Sequence, residues 1–203
     1  MDYPSKATEM SDAQLLDYSG EHLKHEIAMF FNTGVLLFEE LFSTASARDE
    51  TCKNALVESF AIHFRNLVLF LYNAGEEPDI ISDYYFIDHR ADWRRKRHKK
   101  SPLLEEAHDR ASREISHLTV FRRKIDKDWP VRKLMEEIKD VLQVFVDNAS
   151  DTKLHESVKK LVHSIELPSS RPVPTDTRSV FPEVIKFTDV STTSQHNLVR
   201  YRS

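Results

Sequence analysis

Arg110 and His117 stand seven residues apart, close to two full turns of an α-helix, which predicts that they share one face. Glu114 lies between them on that face. An arginine beside a histidine suits phosphate chemistry. The guanidinium grips a phosphate through paired hydrogen bonds and steadies the charge that develops on it. An imidazole titrating near neutrality takes a proton from a hydroxyl or returns one to a leaving oxygen. In RNA the attacking hydroxyl is the sugar's own 2′-OH, so such a pair would need no metal. His117 borders the apolar stripe of Ile115 and Leu118, which predicts partial burial at a helix interface.

A second polar group lies upstream, in His63, Arg65 and Asn66. His63 falls in the middle of the seam formed by Leu56, Phe60, Leu67 and Phe70, where a leucine would be the default. Downstream, Arg94, Arg95, Lys96, Arg97, His98, Lys99 and Lys100 make an unbroken basic run in a chain of net charge -4. That run predicts either a solvated surface segment or a surface that gathers RNA or another polyanion. Tyr84, Tyr85 and Trp93 either pack on the protein or stack bases. The bland alternative for the same residues is structural. The histidines would then be hydrogen-bonded at helix interfaces, with Arg110 and Arg65 pairing carboxylates such as Glu114 or Glu58.

A metal is a further alternative. His22 with His25, and His22 with Glu26, are spaced to share a helix face, and His63 and His117 would complete a site. Nothing in the spacing favours it, and Glu39-Glu40 and Glu136-Glu137 lack the Glu-x-x-His pattern of di-iron bundles. No metal and no cofactor is expected. Three glycines in the whole chain leave no Gly-rich phosphate loop and argue against many hairpins.

The elements that must position these side chains are helices. Ser11 followed by Asp12 is the expected N-cap for a first helix carrying Leu15, Leu16, Leu23, Ile27, Phe30, Leu37 and Leu41, with Gly20 the expected point of division. Gly34 costs about 1 kcal/mol in a helix interior and allows a close helix contact. A second helix is expected from about Thr51 to Ala74, ended by Gly75, and then an irregular stretch through Lys100. Ser101 caps a third, with Pro102 at its first position and Glu105 and Glu106 favouring its positive end. A fourth follows Pro130 with Val131, Leu134, Ile138, Val141, Leu142 and Phe145. Asp151 is expected to cap a fifth bearing Leu154, Val158, Leu161 and Ile165.

The sum is an all-α fold, an antiparallel bundle of roughly four or five helices. The domain would span residues 11–167, after a flexible N-terminus at 1–10 and before a disordered Pro/Ser/Thr-rich tail at 168–203. Within the tail, Phe181 to Phe187 is a short apolar island, read either as packing on its own bundle or as a motif for a protein partner.

The stretch Asn54 to Tyr72, together with Ile115-Ser116-His117-Leu118-Thr119, resembles a family of uncharacterised bacterial all-helical proteins of similar length. That likeness covers about residues 20 to 145. The Arg110-x6-His117 spacing also resembles the Arg-x(4–6)-His signature of the HEPN superfamily of small helical bundles. Many of those proteins are metal-independent ribonucleases of toxin, defence or RNA-processing systems, and they typically act as homodimers. The resemblance implies that Arg110 and His117 are a catalytic pair, supported by His63, Arg65, Asn66 and Glu114. Arg94, Arg95, Lys96, Arg97, Lys99 and Lys100 would then bind the RNA backbone. One departure is Ala111, where many such nucleases carry a polar residue after the arginine. The rival expectation is a non-catalytic helical interaction or scaffold module.

Bulk properties bound both readings. A chain of 203 residues, 40% hydrophobic and 31% charged, is globular in class and long enough to bury a core. No apolar run approaches the roughly 18 residues of a membrane span, so no membrane is expected as a partner. The first ten residues lack the basic-then-apolar order of a secretory signal. Cys52 is the single cysteine, which excludes an internal disulfide and predicts a reducing cytoplasm.

Overall fold

The structure, a computed structural model, describes residues 9–38, 47–73, 79–86, 90–115 and 129–168, the side chains of 47–50, 90 and 114 excepted. Among the described residues every regular element is helical. They are α1 (Asp12–Tyr18), a π-helical turn (Ser19–Leu23), α2 (Lys24–Phe38), α3 (Ala47–Tyr72), a 3-10 turn (Ser82–Tyr85), α4 (Arg90–Lys96), α5 (Pro102–Arg110), a second π turn (Ala111–Ile115), α6 (Val131–Asn148) and α7 (Glu156–Ser164). The fold is all-α. Residues Met1–Val173 form one compact unit, and everything after Pro168 lies outside the described residues.

The first helix starts where its cap predicts. Ser11 Oγ accepts a bond from the Gln14 amide, and the Gln14 side-chain oxygen accepts one from the Ser11 amide, closing a capping box. At Gly20 the rod changes from α to π geometry, which divides α1 from α2. Gly20 sits in the π turn that joins α1 to α2, where a Cβ would lie 3.0 Å from the His155 ring. Ser19, in the same turn and fully buried, accepts the His155 amide at 2.9 Å and so ties the rod to the start of α7.

α2 packs along α3, and Gly34 is the reason the two approach α6 closely. A Cβ there would stand 2.5 Å from the Met135 sulfur and 3.1 Å from Phe60. Phe30 stacks on Phe60 at 4.9 Å, and Phe64 lies beside both. Fully burying each such ring contributes about 1.5–3 kcal/mol. Leu134, Ile138, Leu142 and Phe145 of α6 close the core from the other side, each at 0% exposure.

Four sequence expectations are corrected. The second helix begins at Ala47 rather than near Thr51 and reaches Tyr72; Gly75 lies outside the described residues. Thr51–Tyr72 within it is long and apolar enough, by length and composition, to cross a bilayer, contrary to the expectation that no such run exists. In this fold that apolarity turns inward, with Phe60, Ala61, Phe64, Leu67 and Leu71 completely buried. The stretch before Lys100 is not wholly irregular, because Arg90–Lys96 is helical. The cap of α7 is His155, whose ring accepts the Ser157 amide, while Asp151 lies in the preceding turn and pairs with Lys159.

Candidate functional site

α3 carries His63 and Asn66 one turn apart, so both side chains leave the helix on the face turned toward α2. Both reach the same oxygen. His63 Nδ1 lies 2.7 Å and Asn66 Nδ2 lies 3.2 Å from Glu26 Oε2. An ionised carboxylate only accepts, so Nδ1 is the protonated nitrogen in this bond. The His25 ring stands edge-on to His63 with centroids 5.7 Å apart. Burial alone would push the Glu26 carboxyl up, but the two hydrogen bonds and the nearby His63 and His25 outweigh it, and its pKa falls below the usual value.

Glu26 also edges a cleft of about 190 Å³. Tyr18, Asn66, Asn73 and Asp79 complete its polar side, and Leu67, Phe70 and Ile81 contribute to its apolar side. Burial raises the pKa of the Tyr18 phenol, and the charges of Glu26 and Asp79 raise it further. The cleft therefore presents a neutral hydroxyl between two carboxylates.

Arg65 leaves α3 in another direction. Its Nε donates to Ser112 Oγ at 3.1 Å, linking α3 to the π turn that follows α5. His108 lies in the same neighbourhood. Its Nε2 is buried with no hydrogen-bond partner, and burial, then the positive charges of Lys100 and Arg65, hold its pKa below the ordinary histidine value.

Arg110 ends α5 with its guanidinium carbon 4.8 Å above the Trp129 ring, a cation–π contact at the entry to α6. Trp129 in turn meets Phe60 edge-on at 6.4 Å. His117 lies outside the described residues, as does the side chain of Glu114. The π turn at Ala111–Ile115 widens the helix just past Arg110. The rule of 3.6 residues per turn, which put Arg110 and His117 on one face, does not carry across such a turn.

The basic run lies at the surface, with Arg94, Arg95 and Lys96 exposed and Arg97 and Lys100 half-buried, and each of these five has a partner. Arg94 donates to Asp83 Oδ2 at 2.6 Å, and that carboxylate is only 2% exposed. Arg95 pairs with Asp92, Lys96 reaches Asn148, and Lys100 lies 3.9 Å from Glu105. Arg97 donates to the Leu71 carbonyl and lies over the Tyr72 ring at 5.2 Å. His98 and Lys99 are exposed. Trp93 and Tyr85 are buried, so neither is placed to stack a base. Trp93 instead stacks on Phe86 at 5.0 Å and donates its indole N–H to Ser82.

His22 lies against the Tyr18 ring at 4.8 Å rather than joining His25, Glu26 and His63. Among the described residues no group of three His, Cys, Asp or Glu side chains is arranged to hold a metal ion. Tyr18, Ser112, Asn73 and Asp79 were not legible as site residues, because nothing local in the chain marks what a distant helix brings beside them. His63 was the one signal: a histidine in an apolar seam requires a partner from another helix. No family model, curated protein or solved structure matches this chain.

Proposed function

We propose that this chain is a non-catalytic helical binding module, its bundle a scaffold and its site the cleft beside α3. One observation carries the reading. The cations that would serve phosphate chemistry, Arg94, Arg95, Arg97 and Arg110 among them, are engaged with Asp83, Asp92, the Leu71 carbonyl and the Trp129 ring. The polar groups that edge a hollow are instead Tyr18, Glu26, Asn66, Asn73 and Asp79.

The second reading is an RNA-binding protein or metal-independent ribonuclease of HEPN-like kind, acting as a homodimer through Arg110 and His117. The Arg65–Ser112 bond favours it, since it brings an α3 arginine to the turn that begins right after Arg110.

One assay separates the two. Wild type, Arg110→Ala and His117→Ala are incubated with labelled structured and single-stranded RNAs in excess chelator. The module reading expects no cleavage by any of the three. It also expects Arg110→Ala to lose about 0.5–1 kcal/mol of stability with its cation–π contact. Cleavage leaving 2′,3′-cyclic phosphate ends, present in wild type and absent in a folded His117→Ala protein, would overturn it in favour of the ribonuclease.

A further inference from the structure

The cleft beside α3 has a size, a polarity and a charge that together select a ligand. Its volume of about 190 Å³ slightly exceeds that of a hydrocarbon-lined cavity able to hold one benzene ring, about 150 Å³. It falls below the roughly 300–1,000 Å³ of sites that enclose drug-sized molecules, so the hollow itself matches a small ligand. Leu69 and Ile80, both half-buried, give the lining an apolar part that a single ring or a short alkyl group would cover, beside Leu67, Phe70 and Ile81, which the fold already buries.

The charge is one-sided. Among the described residues, Glu26 and Asp79 are both on the lining, and no lysine or arginine is. An anion entering would meet two carboxylates and no counter-charge, whereas a cation is attracted by both. Burial and those same two carboxylates keep the Tyr18 phenol protonated and able to donate or accept. His63 and Asn66 both bond Oε2 of Glu26, which leaves Oε1 as the oxygen of that carboxylate to meet a ligand. The α3 contacts thus orient the group that a cation would seek.

We infer that this cleft binds a small organic cation: a primary ammonium group carried on one ring or a short apolar chain. Glu26 and Asp79 receive the ammonium, and the half-buried Leu69 and Ile80 receive the apolar part. The inference rests on the binding-module reading and names the chemistry of its ligand.

The test uses the full chain and three probes of one shape and different charge: benzylamine, benzyl alcohol and benzoate. Titration is followed by calorimetry at about pH 8, where a primary ammonium stays protonated. Benzylamine is expected to bind at least about tenfold more tightly than the alcohol or the acid. Asp79→Asn is expected to weaken it about threefold, and Asp79→Asn with Glu26→Gln more than tenfold, with a loss of salt dependence. Asp79 is exposed and edges the cleft, so the single variant keeps the test valid if the double variant melts. Equal binding of benzyl alcohol, preferential binding of benzoate, or no binding of any probe up to about 10 mM overturns the inference. The module reading fails by a different sign, RNA cleavage lost in His117→Ala, whatever benzylamine does.

Discussion

The basic segment around α4 and the acidic cleft beside α3 invert what their sequences suggest. Six Lys and Arg residues fall between Arg94 and Lys100, the most concentrated charge in the chain, yet the fold gives five of them a partner and leaves Lys99 exposed. Asp83, Asp92 and Glu105 take Arg94, Arg95 and Lys100, and Arg97 lies on a carbonyl and two rings. Among the described residues the cleft has two carboxylates, Glu26 and Asp79, and no lysine or arginine on its lining. The comparison teaches that charge density along a chain is a poor guide to charge offered to a partner. What matters is whether the fold places a counter-charge within about 4 Å, where a pair loses most of its reach.

The strongest way to break this comparison is to remove Arg94. If the basic run were only a solvated face, Arg94→Ala would change stability by less than about 0.5 kcal/mol. The pairing with buried Asp83, one of whose oxygens already lacks a hydrogen bond, predicts a loss of about 2 kcal/mol instead. That is below the usual figure for a fully buried pair because the Arg94 side chain is itself 52% exposed. Asp83→Asn should cost less than Arg94→Ala, since it leaves the uncompensated charge on the exposed partner. Urea denaturation of the two variants checks the order, and a larger loss for Asp83→Asn would contradict the account.

A smaller effect is expected where α2 meets α3 and α6. Gly34→Ala gains about 1 kcal/mol of helix propensity but drives a Cβ onto Met135 and Phe60, an overpacking that costs about 1–3 kcal/mol. The net is a destabilisation of about 1 kcal/mol, read as a lowered melting temperature. A rise would mean that the Met135 side chain swings aside without cost.

The smallest effect is a pH signature. The folded pKa of Glu26 lies below its ordinary value of 4.5, so the unfolded chain binds more protons as pH falls through that region. The stabilisation is therefore fully present above about pH 5 and is lost as pH drops through the depressed folded value. Asn66→Ala removes one of the bonds responsible and should flatten this acid limb in a series of thermal melts. An unaltered limb would show that the Asn66 bond does not hold the carboxylate down.

Much of the helical pattern was legible in the chain because its causes are local. Ser11 and Gln14 close their own capping box, Ser101 and Pro102 start α5, and the stripe from Leu134 to Phe145 turns one face of α6 into core. Where the reading missed, a distant contact had decided the matter. The α4 helix is only seven residues long, too short to persist by propensity, and it stands in this fold around Trp93, buried against Phe86 and Phe145. His155 displaced Asp151 as the cap of α7, beside the fully buried Ser19 that fixes its backbone.

The sequence by itself therefore determined the all-helical class, the apolar stripes and several caps, and it marked His63 as a buried residue in need of a partner. Only the tertiary structure decided that the partner is Glu26, that Arg65 reaches Ser112, that Arg110 rests on Trp129, and that Tyr18 and Asp79 join Glu26 around one cleft. The physical reason is range. Capping and periodicity act over a few residues, whereas these contacts join groups tens of residues apart, and which helix supplies them depends on how the apolar faces pack.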